Sequence, residues 1–230
     1  MRYLIIGGSD AGISAALRAQ EIDPNAKIDV LLEDNFPNYS ICGLPFYLSD
    51  ETPDRHSLAH RTQFDGLSIH RGHRATRIDG SSKTVEIQVK GSGHSSLPYD
   101  KLLIATGASP VIPHIEGWRL PGVFLLHTMN DSFAVHEYLD RVKPRRAVIV
   151  GAGYIGLEMA DALTHRGIEV TVASRTKTVL ATVDPEFGKA VGEELEHHGV
   201  AVATSVEAQR IVQVGDHLRI SGSEGFEQDC

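Results

Sequence analysis

Tyr3-Leu4-Ile5-Ile6-Gly7-Gly8-Ser9-Asp10-Ala11-Gly12 runs from an apolar stretch into a glycine-rich turn, and Ile13 to Gln20 continues with good helix formers. A short apolar run of this kind suits a parallel strand, which is covered on both faces. Lys27-Ile28-Asp29-Val30-Leu31-Leu32 supplies a second such strand. The stretch therefore predicts a β-α-β unit whose glycine turn sits at the helix N-terminus, where free N–H groups and the helix dipole favour a pyrophosphate. The same order returns from Arg145 to Ala173 around Gly151-Ala152-Gly153-Tyr154-Ile155-Gly156. One such turn is weak evidence. Two of them predict two dinucleotide sites in one chain, with electrons handed from one redox nucleotide to another.

The two turns differ in detail. In the first, Gly7 and Gly12 match the outer glycines of the dinucleotide fingerprint, Gly8 follows Gly7, and Ser9 stands at the middle position. Glu33, 21 positions beyond Gly12 at the end of the second strand, is placed to accept hydrogen bonds from the ribose hydroxyls of an adenosine. In the second, Gly151, Gly153 and Gly156 are all present, and Glu158 follows in the helix. At the corresponding strand end the acid position is Ser174, followed by Arg175 and, two residues on, Lys177. A carboxylate there would repel a 2′-phosphate, whereas Ser174 can hydrogen-bond it and Arg175 can pair with it, so NADPH is expected over NADH.

Cys42 lies in Asn38-Tyr39-Ser40-Ile41-Cys42-Gly43-Leu44-Pro45, a segment that reads as a helix start bounded by glycine and proline. A thiolate there would be favoured by the dipole, as a redox or nucleophilic cysteine requires; the alternative from these residues alone is a buried structural cysteine. Position 47 is tyrosine, so a second cysteine five residues on is lacking and any redox cycle must use one sulfur. The only other cysteine is Cys230, far away in sequence, which reads as a reduced, cytoplasmic chain.

The net charge of −8 argues against nucleic acid and against an anionic membrane, and points to a small-molecule partner. Tyr3 to Ile6 is broken by Gly7, Gly8 and Asp10, so it is neither a signal segment nor a membrane span. His56 and His60 have helical spacing with Asp54 nearby, but no Cys/His cluster accompanies them and no metal is expected. His197-His198 reads as an exposed helix end before Gly199.

Between the repeats, Thr84 to Val89 alternates like a half-exposed antiparallel strand, and Gly91 to Ser96 reads as a hairpin loop. Leu102 to Ala105 reads as a buried strand stopped by Thr106-Gly107, and Pro110 to Pro121 as a crossover. A helix is expected over Asn130 to Leu139, capped by Asn130 or Asp131.

The first glycine turn, Ile41-Cys42-Gly43-Leu44-Pro45-Phe46-Tyr47, the run Tyr99 to Ala108 with Ala105-Thr106-Gly107, and Gly151 to Glu158 together carry a resemblance. The chain resembles the FAD-dependent pyridine nucleotide-disulfide oxidoreductases. Within them it is similar to the single-cysteine branch of coenzyme A disulfide reductases, NADH oxidases and peroxidases, and persulfide reductases. The resemblance implies an α/β fold of two Rossmann-like FAD/NAD(P)-binding domains, three-layer ββα, the second inserted in the first, with the C-terminal part absent. Residues 1–113 would be the N-terminal part of the FAD domain, 114–144 a crossover, and 145–230 the NAD(P) domain.

The same resemblance implies a hydride path from NADPH to FAD and on to Cys42, which reduces a small disulfide, a persulfide or an oxygen species. It assigns FAD contacts to Gly7, Gly8, Ser9, Gly12, Glu33, Ala105, Thr106 and Gly107, and NADPH contacts to Gly151, Gly153, Tyr154, Ile155, Gly156, Glu158, Ser174 and Arg175. Full-length members are expected to be homodimers.

Three departures bear on the expectation. Peroxidase members carry histidine where this chain has Asp10, and coenzyme A disulfide reductases usually carry Asn where it has Ile41. Members also continue for about as many residues again, returning to the flavin domain and adding a dimerisation domain. Two rival readings follow: a non-catalytic nucleotide-binding fragment that keeps the NADPH loop, and a flavin reductase serving an electron-transfer protein.

Overall fold

The computed structural model describes residues 1–230. By packing, the chain falls into two compact units, Met1–Ile41 with Arg55–Ser109 and Cys42–Asp54 with Pro110–Cys230. Residues Cys42–Asp54 thus pack with a later part of the chain rather than with their sequence neighbours.

In the first unit, β1 (Arg2–Ile6), β2 (Lys27–Leu32), β3 (Leu67–Arg71) and β7 (Lys101–Ile104) form a four-stranded parallel sheet in the order β3-β2-β1-β7. Alternate side chains face opposite ways, so the strands' apolar runs serve two layers at once. Ile5, Ile28 and Val30 pack on Ile13 and Ala16 of α1 (Asp10–Ile22). Leu4, Ile6 and Leu31 pack on Val85 and Ile87 of the antiparallel sheet made by β4 (His73–Asp79), β5 (Thr84–Val89) and β6 (Gly93–Pro98). The result is three layers: helix, parallel sheet, antiparallel sheet. Each buried aliphatic side chain contributes roughly 1.5–3 kcal/mol. An exposed ion pair such as Arg77–Glu86 is worth about 0–1 kcal/mol, so the layers hold the unit together.

The second unit repeats the plan. β8 (Arg146–Val150), β9 (Glu169–Ala173) and β10 (Ala201–Ala203) form a parallel sheet, with α4 (Tyr154–His165) burying Met159, Ala160, Ala162 and Leu163. α5 (Pro185–His197) has Pro185 at its first position, Asp184 as cap, and Gly199 at φ +81° just beyond its end. The antiparallel sheet β11 (Ala208–Val214), β12 (His217–Gly222) and β13 (Glu227–Asp229) packs Ile211, Leu218 and Ile220 with Val148 of β8. α2 (Leu44–Leu48) lies against α3 (Met129–Val142) and α4.

Several local expectations need correction. Gly93 to Ser96 is strand β6 rather than loop, because β5 offers it a full antiparallel ladder. β7 sits at a sheet edge, and Leu103 and Ile104 are exposed rather than buried. The cap of α3 is Thr128, whose hydroxyl accepts from Asp131 N–H while the Asp131 carboxylate accepts from Thr128 N–H, so Asp131 is the other half of a capping box. The helical spacing of His56 and His60 is not realised, since a short 3₁₀ turn ends at Leu58.

Candidate functional site

The two glycine turns superimpose in their backbone logic. Gly7 and Gly151 both take φ +116°, a conformation that an L side chain rarely adopts. A Cβ on Gly12 would lie 1.9 Å from the Gly7 carbonyl oxygen, and one on Gly156 would lie 2.0 Å from that of Gly151. The third glycine is therefore required because helix and turn touch. The middle position is different. Ser9 (φ −87°, ψ −164°) and Gly153 (φ −85°, ψ −175°) share one extended conformation open to any residue, so serine replaces glycine without strain. Ser9 makes no side-chain cap and Gly153 has no side chain to make one, so neither N-cap residue satisfies the first-turn N–H groups of its helix. Uncapped N–H donors at a helix N-terminus fit a diphosphate.

The first turn is enclosed. Gly7 N–H donates to Leu31 O, Ala105 N–H donates to Ile6 O, and a Cβ on Gly7 would meet Ala105 O at 2.0 Å. Ala105, Thr106 and Gly107 are thereby brought beside Gly7, with Gly107 at φ +69°. Leu32 backs Gly8. Glu33 is exposed at the end of β2, where Arg74 Nη1 donates to Glu33 Oε1 at 2.9 Å. Asn38, at φ +55°, donates its N–H to Gly8 O at 2.8 Å and its side-chain amide to Asp10 Oδ1 at 3.1 Å. Sequence reasoning missed Arg74 and Asn38. An Asn before Tyr39 with turn propensity was the available signal for the second; Arg74 reaches Glu33 only through the tertiary fold.

The second turn is open: a Cβ on Gly151 or Gly153 would meet nothing within 4 Å, and Tyr154 and Ile155 are exposed. Ser174 is buried at the end of β9, its hydroxyl 2.8 Å from that of Thr176, which donates to Thr178 O. Arg175 is exposed and reaches Glu207 only at 3.9 Å. Of this pair, the structure leaves Arg175 as the group turned to solvent, while Ser174 helps fold the loop.

Cys42 is exposed on a 3₁₀ turn (Ile41–Gly43) ahead of α2, a helix of only five residues. It lines a cavity of about 100 Å³ with Pro45, Phe46, Ser49, Glu51, Glu158, Asp161 and Ala162. Cys42 and Glu158, read separately from the sequence, are thus brought together. Tyr47, at the place of a resolving cysteine, is buried with its ring stacked on His136 (4.5 Å, 22°) and edge-on to Phe133. Cys230 pairs its backbone with Leu218, and burial pushes its thiol up.

One group has the composition of a metal site, Asp50, His136 and Asp140. Arg166 already stands among them, 2.7 Å from Asp50 and 2.9 Å from Asp140, supplying the positive charge. Beside it lies a larger cavity of about 510 Å³ lined by Asp50, Asp140, Lys143, His165 and Arg166 among others.

The family described as pyridine nucleotide-disulphide oxidoreductase matches residues 1–230. The chain belongs to this family. Among oxidoreductases of the family, the chain is 34% identical over 232 residues to an NAD(P)H coenzyme A polysulfide/persulfide reductase of Pyrococcus horikoshii, covering 99% of this chain and 49% of that protein. An NADH oxidase of Lactococcus lactis is 32% identical over 87% of this chain and 46% of its own length. The structure of an NAD-dependent persulfide reductase from A. fulgidus superimposes with a TM-score of 0.92 at 34% identity, over 99% of this chain and 43% of that one. The chain spans about half the length of the curated oxidoreductases it matches. The mixed α/β architecture with parallel sheets is that of FAD/NAD-dependent oxidoreductases. No helix is long and apolar enough to cross a membrane.

Proposed function

We propose that this chain carries the nucleotide sites and the reacting thiol of an FAD- and NADPH-dependent oxidoreductase that reduces a small disulfide, a persulfide or an oxygen species. The observation that carries the reading is Cys42 exposed in one cavity with Glu158, on the helix that begins at the second glycine turn. FAD, when bound, supplies a two-electron relay between nicotinamide and thiol. Gly7, Gly8, Ser9 and Gly12 hold its diphosphate, Glu33 accepts from its ribose, and Ala105, Thr106 and Gly107 close that side. Gly151, Gly153 and Gly156 hold the diphosphate of NADPH, with Tyr154, Ile155 and Glu158 on the same turn and helix. Arg175 pairs with the 2′-phosphate, and Ser174 shapes the loop that presents it. The Cys42 sulfur attacks a small disulfide, breaking its S–S bond, releasing one half as a thiolate and holding the other as a mixed disulfide that two electrons from NADPH would cleave to restore Cys42. Residues 1–113 and 145–230, joined by 114–144, make up the FAD and NAD(P) parts, in a reduced, cytoplasmic setting, with a homodimer as the functional assembly.

The test is NADPH-driven reduction of a small disulfide by flavin-loaded protein. Cys42→Ser is expected to abolish it while reduction of ferricyanide persists; undiminished disulfide reduction would overturn the role of Cys42. A second reading, a nucleotide-binding module without turnover, is favoured by the exposed Ile104 and Val150 at the two parallel sheets. Protein that binds NADPH yet takes up no flavin would establish it.

A further inference from the structure

We propose that Arg166 is a positioning residue for Cys42, a role that rests on the reading of Cys42 as the reacting thiol. Arg166 follows the last residue of α4 and is nearly buried, with its side chain 11% exposed. Its Nε donates to Leu48 O at the end of α2, its Nη2 lies 2.7 Å from Asp50 and its Nη1 donates to Asp140 of α3. His136 of α3 closes a ring, 2.8 Å from Asp50 and 3.2 Å from Asp140, and stacks on Tyr47 of α2. Two acids and two bases each contact both members of the opposite pair, and an Arg fork fits this bridging as a point charge does not.

The ring matters because of what lies at the other end of the same helices. α2 begins next to Cys42, and α4 begins at the second glycine turn and lends Glu158, Asp161 and Ala162 to the Cys42 cavity. Arg166 fixes the far ends of α2 and α4 to each other, so it sets where Cys42 stands relative to Glu158. A five-residue helix has too few turns to hold its own place. Displacing a reacting atom by even 1 Å is worth about a hundredfold in rate.

The experiment compares wild type, Arg166→Gln, Arg166→Lys and Asp140→Asn by hydrogen exchange and by turnover. Exchange of the Ser49, Asp50 and Thr52 amides, which are bonded to Pro45, Tyr47 and Phe46, is expected to rise about tenfold or more in Arg166→Gln with β8 and β9 unchanged. Arg166→Lys restores part of the protection, and Asp140→Asn gives a smaller rise. In flavin-loaded protein, NADPH-driven reduction of 2-hydroxyethyl disulfide falls about tenfold or more while ferricyanide reduction and the NADPH KM hold. Unchanged protection of Ser49 to Thr52, a rise spread over the whole unit, or an equal fall in both reactions would overturn the proposal. Protein that takes up no flavin counts against the proposed function, and the exchange pattern still decides the role of Arg166 in holding the segment. Should Arg166→Gln fail to fold, Asp140→Asn decides it.

Discussion

Gly7 and Gly151 hold the same φ of +116°, yet a methyl group on the first would run into Ala105 O at 2.0 Å while one on the second would meet nothing within 4 Å. The turns are copies; their surroundings are not. The first is walled by the end of β7, by Leu32 and by the Asn38 bridge to Gly8, and the second opens to solvent beside exposed Tyr154, Ile155 and Arg175. An enclosed turn suits a group that stays bound through many turnovers. An open one suits a nucleotide that arrives reduced and leaves oxidised. In the proposed reading, one backbone device serves both diphosphates and the flanking segments divide its use.

Gly151→Ala is expected to cost about 1–3 kcal/mol for its positive φ. Gly7→Ala should cost clearly more, since it adds a collision with backbone, and urea denaturation of the two variants reads the difference directly. Equal losses would mean that the wall around the first turn yields. Gly12→Ala and Gly156→Ala should each abolish binding at their own turn and leave the other site intact, by titration with each nucleotide.

The next effect in size concerns the strand ends. Arg175→Glu is expected to weaken NADPH by about tenfold to a hundredfold, roughly 1.4–2.8 kcal/mol, with NADH unaffected or improved. Glu33→Ala should leave NADPH untouched. An equal loss of both nicotinamide nucleotides in Arg175→Glu would remove the 2′-phosphate assignment.

Most of the fold was legible because both β-α-β units announce themselves by apolar runs and glycine spacing, and the alternation of Thr84 to Val89 gave the antiparallel layer. What escaped depends on partners distant in sequence. Ser9 stands at the middle position of the fingerprint, where the extended backbone is open to any residue. Leu102 to Ala105 looked buried because periodicity reports apolarity and not whether a neighbour lies on both sides. At the site, Cys42 and Glu158 were each visible, but their shared cavity was not. Arg166 and Arg74 carry no local signal at all; each acquires its partners only when helices or strands meet.

The guanidinium of Arg166 holds the Asp140 carboxyl below its ordinary 3.8. A carboxyl with a lowered folded-state pKa adds stability that is complete above its unfolded value and is lost as pH falls through the folded one. The stability gap between wild type and Asp140→Asn should therefore be constant near neutrality and shrink only below about pH 3.8, followed by urea denaturation at each pH. A gap that persists into stronger acid would assign the ring's contribution to packing. Smallest of all, Arg74→Ala removes an exposed pair and should change stability by less than about 1 kcal/mol.

In the proposed reading, electrons entering at the second turn reach the thiol by way of a flavin held at the first. The most direct measurement is the visible absorption spectrum of the purified chain, supplied with FAD and then reduced anaerobically with NADPH. A flavin spectrum that bleaches with NADPH, and recovers on adding a small disulfide in wild type but not in Cys42→Ser, is the expected result. Protein that stays colourless with FAD, or a bound flavin indifferent to NADPH, would contradict it.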